Sequence, residues 1–259
     1  MFLEKIVNSV RVRLDGKKAD LPLEIVMEQA LGMPQNCDFL FEKALMTNGV
    51  AFICEVKKAS PSKGVISHDF PYMQIAEDYV AGGAAAVSVL TETEFFLGND
   101  LYLKEISNSL QIPTLRKDFI IDPYQIYEAK ILGASAILLI AEILEEKALR
   151  EYINIAHRLG LSVLAESHSL PQMEKAIAAG ARVIGVNNRN LDTFEVDINT
   201  SVNLRVKVPK ELIFVSESGI STPEDIAKLR DNDVNAVLIG EILMRSPDRV
   251  KTLEMLRRA

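Results

Sequence analysis

The chain reads as an α/β protein, a (β/α)8 TIM barrel carrying an N-terminal helical extension. Three observations predict this. Eight short apolar, β-branched runs follow residue 50. Longer amphipathic stretches separate them at a spacing of roughly 20 to 35 residues, one β-loop-α unit each time. Polar and charged residues recur at the C-terminal end of run after run, where strands buried on both faces should stay apolar. The competing architecture, an open doubly wound sheet, usually shows a glycine-rich dinucleotide fingerprint after its first strand. Here Ser-Pro-Ser-Lys-Gly64 follows instead.

The elements follow in order. Phe2, Leu3, Ile6, Val7 and Val10 fit one helical stripe and Leu23–Leu31 another, with Asp15-Gly and Pro34 expected to separate the pieces. Residues 1–49 are too short to bury a core of their own, so they read as an extension of one barrel spanning residues 1–259. The predicted strands are Phe52–Lys57, Ala85–Leu90, Ile112–Lys117, Ala136–Ile140, Ser162–Glu166, Arg182–Asn187, Leu212–Glu217 and Ala236–Gly240. Between them, Glu145–Ala156 shows the three- and four-residue apolar spacing of an amphipathic helix. Gly83, Gly133, Gly160 and Gly180 stand where a helix ends and the chain turns back into the sheet. Pro71, Pro123, Pro171 and Pro223 sit near helix starts, where a missing N–H is tolerated. Ser221-Thr-Pro-Glu-Asp225 joins a hydroxyl cap to acids in the first turn.

Composition narrows the class. A length of 259 residues suits a single barrel, and a net charge of −7 argues against a nucleic-acid-coating surface. The two cysteines, Cys37 and Cys54, fit reduced packing in the cytoplasm better than a disulfide framework. No apolar run reaches membrane-spanning length, and the first residues do not read as a signal peptide. His68, His157 and His168 are far apart and join no metal-ligand spacing. His157 and His168 read as background, Lys58 as a packing or surface residue.

The polar strand ends carry the chemistry. Glu55 and Lys57 are two apart and share one face of the first strand. Opposite charges on a buried face are costly unless paired or used. Lys117 ends the third strand, Glu166 the fifth, Asn187 and then Arg189 the sixth, Glu217 and Ser218 the seventh, and Gly240 and Glu241 the eighth. Barrel closure gathers C-terminal ends into one ring, where such barrels keep their active sites. Lys57, Lys117 and Arg189 supply positive charge for an anionic substrate, and Glu55 and Glu166 supply proton donors or acceptors. Asn187 and Ser218 can orient substrate or water. The turns Ser218-Gly219 and Gly240-Glu241 offer backbone N–H groups for a substrate phosphate. A lysine acting as an acid here is expected to have its pKa lowered toward neutrality by burial and like charges.

These residues resemble those of indole-3-glycerol-phosphate synthases. The resemblance rests on Glu55–Gly64, Thr91-Glu-Thr-Glu-Phe-Phe96, Lys117-Asp-Phe119, Ile184–Leu191, Glu217-Ser-Gly-Ile220 and Leu238–Met244, and runs from about residue 37 to 258. It implies a carboxy-lyase of tryptophan biosynthesis. Such an enzyme closes 1-(2-carboxyphenylamino)-1-deoxyribulose 5-phosphate to indole-3-glycerol phosphate with loss of carbon dioxide and water, and needs no organic cofactor or metal. Its partner is a small phosphorylated substrate, not nucleic acid or membrane, and the resemblance leaves room for contact with other tryptophan-pathway enzymes. By that resemblance Lys117 is the general acid and Glu166 the acid/base carboxylate. Lys57 holds the anthranilate carboxylate, Glu55 is its partner near the departing hydroxyl, and Asn187 positions substrate. Ser60, Arg189, Glu217, Ser218, Gly219 and Gly240 line the sugar and phosphate end, and Phe96 and Phe119 the aromatic end. Glu241 stands where some members carry Ser or Thr, so only its backbone N–H is expected to serve the phosphate.

Two other readings use the same residues. A Schiff-base aldolase-like barrel would make Lys117 or Lys57 a nucleophile, and borohydride trapping would reveal it. A non-catalytic barrel binding a phosphorylated metabolite would have little use for both lysines and both glutamates. Residues 1–45, with the Ser60–His68 loop, are expected to act as a lid over the pocket more than as core structure.

Overall fold

The computed structural model describes residues 2–35, 37–190 and 193–258. Eight parallel strands close into a barrel: β1 Ala51–Val56, β2 Ala86–Leu90, β3 Thr114–Lys117, β4 Ala136–Ile140, β5 Ser162–Ser167, β6 Val183–Asn187, β7 Ile213–Glu217 and β8 Ala236–Ile239. Each pairs with its sequence neighbours, and β1 closes the ring against β8 through Ala51–Ala236 to Cys54–Ile239. All eight predicted strands are present, within two residues at every end. A short antiparallel pair, Ala59–Ser60 with Gly64–Val65, folds the loop after β1 over the mouth.

The alternation of side chains splits the core into two shells. Phe52, Cys54 and Val56 face outward and join Val87, Val89, Ile137, Leu139 and Ile184 beneath the helices. Ile53, Leu115, Leu138, Leu164, Val215 and Leu238 face inward and fill the barrel. Above this apolar plug the next inward residue is polar or glycine on every strand but β4, where Ile140 takes that place.

Helices α1 Phe2–Asp20, α2 Leu23–Gly32 and α3 Leu40–Leu45 precede the barrel. The break expected at Asp15-Gly16 is absent; α1 runs through it and ends before Pro22. A helix-interior glycine costs about 1 kcal/mol against alanine. Contacts on both sides of it outweigh that cost. Leu14 is buried, and Lys17 pairs with Asp100 at 2.5 Å and Glu128 at 2.6 Å.

Of residues 1–45, which were expected to form a lid, only one part lies at the barrel mouth. Leu3, Ile6 and Val10 of α1 cover the barrel mouth, and Phe2 makes edge contacts with Phe95 and Phe194 at 5.4 and 6.0 Å. At the opposite end, Phe41 and Leu45 of α3 are fully buried and join the inward-facing core with Ala51, Ala86 and Val183. The helix α3 is therefore core structure, because the open base of a barrel must be closed by apolar side chains. Between them, α2 lies on the outside, its Val26 buried against Tyr124.

The barrel helices are α4 Tyr72–Ala81, α5 Asp100–Ser109, α6 Pro123–Ile131, α7 Glu146–Arg158, α8 Leu170–Ala178, α9 Asn199–Arg205, α10 Pro223–Arg230, the short α11 Glu241–Arg245 and the terminal α12 Arg249–Arg257. Proline opens α6 and α10 and stands in the first turn of α8 as expected, while Pro71 is the residue before α4. Thr222 and Asp225 cap the start of α10 reciprocally. No helix among the described residues is long and apolar enough to cross a membrane.

Candidate active site

One pocket opens at the C-terminal ends of the strands, and all fourteen expected site residues line it. They are Glu55, Lys57 and Ser60 from β1 and its loop, Phe96 after β2, Lys117 and Phe119 from β3, and Glu166 from β5. Asn187 and Arg189 come from β6, Glu217, Ser218 and Gly219 from β7, and Gly240 and Glu241 from the end of β8. Leu191, the last residue of one sequence motif, lies outside the described residues. Phe2, Leu3 and Ile6 of α1 complete the wall. Phe96 and Phe119 stand 6.0 Å apart and give the pocket an aromatic side.

Two lysine–carboxylate groups occupy the floor. Lys57 Nζ donates to Glu55 Oε1 at 2.5 Å, the pairing that two-residue spacing on one strand face requires. Lys117 Nζ donates to Glu166 Oε2 at 3.2 Å and lies 3.7 Å from Glu217 Oε2. Asn187 Nδ2 donates to Glu166 Oε1 at 3.2 Å, so both oxygens of Glu166 are engaged. The carboxylate of Glu217 is less well served: it is 2% exposed, and Oε1 has no hydrogen-bond partner.

Two glycines make room for these acids. A Cβ at Gly185 would stand 2.4 Å from Glu217 Oε1, and one at Gly240 would stand 2.9 Å from Glu55 Oε1. Inward-facing positions on β6 and at the end of β8 must therefore be bare for the glutamates to reach the axis. The role expected for Gly240 was phosphate approach; the space it leaves for Glu55 is an additional reason for the residue.

The charges set each other's protonation. Burial favours loss of the Lys117 proton, but Glu166, Glu217 and Glu55 outweigh it and hold its pKa above the ordinary lysine value. The lowered lysine expected from burial and like charge is thus overturned: its near neighbours are acids, not cations. Burial pushes the Glu166 carboxyl up, yet Lys117, His168 and the Asn187 hydrogen bond together bring it below the usual value. Burial and the neighbouring Glu166 charge push Glu217 up to about 8, despite Lys117. At neutral pH the floor therefore carries an ammonium, an ionised Glu166 and a protonated Glu217. An ammonium held this firmly is a proton donor and a poor nucleophile, which disfavours Schiff-base chemistry.

The other side of the pocket suits an anion. Ser218 and Gly219 both take positive φ, 67° and 78°, which turns the backbone after β7. Arg189 and Lys63 face Glu241 at 4.0 and 3.8 Å, and Arg245 donates to it at 3.2 Å. The Glu241 carboxylate is thus engaged by cations at the pocket rim. Among the described residues no group of three or more His, Cys, Asp or Glu is arranged to hold a metal ion.

Two features escaped sequence reasoning. His168, read as background, has Nε2 3.5 Å from Glu166 Oε1 and Nδ1 3.7 Å from Glu142 Oε2. Its position two residues after Glu166, just past the end of β5, was the available signal. The second is the Asp118 carboxylate beside Lys117, both oxygens of which accept from Arg13 Nη2 of α1 at 2.9 and 3.0 Å, tying that helix to the end of β3. Nothing in a helical stripe announces such a partner.

A closed parallel barrel with lysine–glutamate pairs at its C-terminal mouth, an aromatic wall and a cationic rim defines a (β/α)8 enzyme built for acid–base work on an anionic, partly aromatic substrate. Solved structures agree on the fold: 3-hexulose-6-phosphate synthase from Salmonella typhimurium superimposes with a TM-score of 0.66 at 13% identity, over 81% of this chain and 97% of that one. The indole-3-glycerol phosphate synthase profile matches residues 3–256, and the chain belongs to that family. Among relatives bearing that name, the protein of Ruminiclostridium cellulolyticum is 53% identical over 99% of both chains. That of Endomicrobium trichonymphae is 52% identical over 99% of this chain and 100% of its own.

Proposed function

We propose that the pocket residues divide the steps of indole-3-glycerol phosphate synthesis, the activity for which the family is named. The observation that carries this reading is the Lys117–Glu166–Asn187 chain of hydrogen bonds at the floor of a pocket with one aromatic and one cationic end. The substrate is 1-(2-carboxyphenylamino)-1-deoxyribulose 5-phosphate, its ring against Phe96 and Phe119 and its phosphate at Ser218-Gly219 and Gly240-Glu241. Lys117 gives its proton to the ribulose carbonyl oxygen as the ring carbon attacks. An ammonium stabilised by carboxylates is a weak acid toward water but a competent donor to a forming alkoxide. Lys57 holds the benzoate carboxylate until it leaves as carbon dioxide, and desolvation of that carboxylate favours its loss. Lys57 and Glu55 then assist departure of the hydroxyl as water. Glu166, ionised at neutral pH, accepts a proton, and Asn187 fixes its orientation.

The sequence-level residue roles follow the same division, with Ser60 and Arg189 at the phosphate end and a protonated Glu217 available as a hydrogen-bond donor to the sugar. Residues 1–259 act as one folding unit in this reading. A reducing cytoplasm suits the free thiols of Cys37 and the buried Cys54. Contact with other tryptophan-pathway enzymes is part of the proposal and is tested by co-purification. The activity itself is tested by incubating purified protein with the carboxyphenylamino-deoxyribulose phosphate and watching indole fluorescence appear. Fluorescence at a rate no greater than without enzyme would overturn it.

A further inference from the structure

Ring closure to an indole consumes a proton. The ring carbon bonds to the carbonyl carbon, whose oxygen takes one proton. The bond to the carboxylate breaks, carbon dioxide leaves, and the electron pair restores the aromatic ring. The oxygen takes a second proton and departs as water, while the neighbouring methylene gives up one proton to form the new double bond. Two protons go in and one comes out, so one must enter from solvent in each turnover. The floor of the pocket is poorly placed to receive it. Glu166 is 3% exposed and Glu217 2%, and α1 lies across the mouth.

We propose that His168 and Glu142 form a side entrance through which solvent protons reach Glu166, and from it Lys117. This rests on the reading of Glu166 as the acid/base carboxylate. The order in space is Glu142 Oε2, 3.7 Å to His168 Nδ1; His168 Nε2, 3.5 Å to Glu166 Oε1; Glu166 Oε2, 3.2 Å to Lys117 Nζ. Each carboxylate uses one oxygen toward the histidine. The two ring nitrogens of His168 are buried and hold no hydrogen bond, so neither is committed to a structural role. Apo catalytic contacts of this length commonly tighten when substrate binds. Glu142 is a third exposed, and it borders a second cavity that is also lined by His168, Asn187 and Arg189. Gln172 keeps the arrangement in place: its Oε1 accepts from the His168 backbone N–H at 2.7 Å and its Nε2 donates to Glu142 Oε2 at 3.2 Å. The other charged groups bordering this cavity are Arg189, Glu195 and Asp197. An imidazole between two carboxylates can accept on one nitrogen while donating from the other, which is what a relay needs.

The test is steady-state kinetics of His168→Ala with and without added imidazole, beside Glu142→Gln and Glu166→Gln. The relay predicts that kcat of His168→Ala falls roughly tenfold or more while KM stays within about twofold, and that imidazole restores kcat in proportion to its concentration. Glu142→Gln, which keeps an oxygen for Gln172, should lower kcat in the same direction. Unchanged kcat in both variants, or a loss that imidazole does not relieve, overturns the relay. If Glu166→Gln itself turns over normally, the acid/base reading of Glu166 fails, and that outcome is distinct from a failure confined to His168.

Discussion

Gly185 on β6 and Glu217 on β7 are fitted to one another: the space a side chain would fill at 185 is where Glu217 Oε1 lies, 2.4 Å from the position of that absent Cβ. Glycine at this point of β6 leaves an inward-facing gap, and the gap admits a carboxylate that has nothing else on that oxygen to bind. The carboxylate in turn lies 3.7 Å from Lys117, so a backbone feature of one strand decides the charge around the proposed acid on another.

Gly185→Ala should therefore damage catalysis more than folding. The clashing atom is the end of a flexible side chain, so Glu217 can swing aside, and overpacking of this kind typically costs about 1–3 kcal/mol. Displaced from the floor, Glu217 no longer faces Lys117 or substrate. Steady-state kinetics beside a thermal melt should give a kcat/KM lowered at least tenfold and a melting point lowered by a few degrees. Wild-type kinetics in the variant would mean that Glu217 has no part in the reaction.

Glu217 also gives a pH signature. Its pKa is raised to about 8 in the folded chain from an ordinary 4.5, so the folded state holds a proton that the unfolded state releases. Its contribution to stability is complete below pH 4.5, erodes as pH rises from there, and is lost above about 8. Glu217→Gln removes this dependence. Denaturant melts of both proteins at pH 6 and pH 9 should show the wild type losing stability relative to the variant across that interval. Parallel pH curves would refute the raised value.

Truncation separates lid from plug. Deleting residues 1–20 should leave a folded protein with a strongly raised KM, since Phe2, Leu3 and Ile6 line the pocket. Leu45→Ala should do the reverse, costing about 2–5 kcal/mol with KM unchanged, because a fully buried leucine at the barrel base is removed. An insoluble protein from the first deletion would make α1 core structure as well.

Inorganic phosphate or sulfate should inhibit competitively with substrate. The Ser218-Gly219 turn and the start of α11 at Gly240-Glu241 face the same pocket as Arg189. Inhibition that is noncompetitive, or a soaked sulfate bound only elsewhere, would move the phosphate end away from β7 and β8.

The architecture was legible because barrel strands write themselves as near-continuous apolar runs, and their polar ends are conspicuous against that background. Glu55 and Lys57 could be put on one face from their spacing alone. Features that depend on a distant partner were not legible. Asp15-Gly16 looks like a helix break until Lys17 is seen bound to Asp100 and Glu128. Lys117 looks like a lysine whose pKa burial would lower, until three carboxylates from other strands surround it. His168 looks idle until Glu142, from the loop after β4, is brought to its far side. The strand pair Ala59–Ser60 with Gly64–Val65 is too short to carry a periodic signal.

The central claim is that Lys117 delivers the proton that drives ring closure, and a single-turnover experiment on Lys117→Met tests it most directly. Enzyme in excess over the carboxyphenylamino-deoxyribulose phosphate reports the chemical step through indole fluorescence, and calorimetric titration with a non-reacting substrate analogue reports binding. The account predicts a rate lowered by about 10²–10⁴-fold, the usual cost of losing a positioned acid, with affinity and melting point close to those of the parent. Single-turnover formation of indole at a near-parental rate would contradict it.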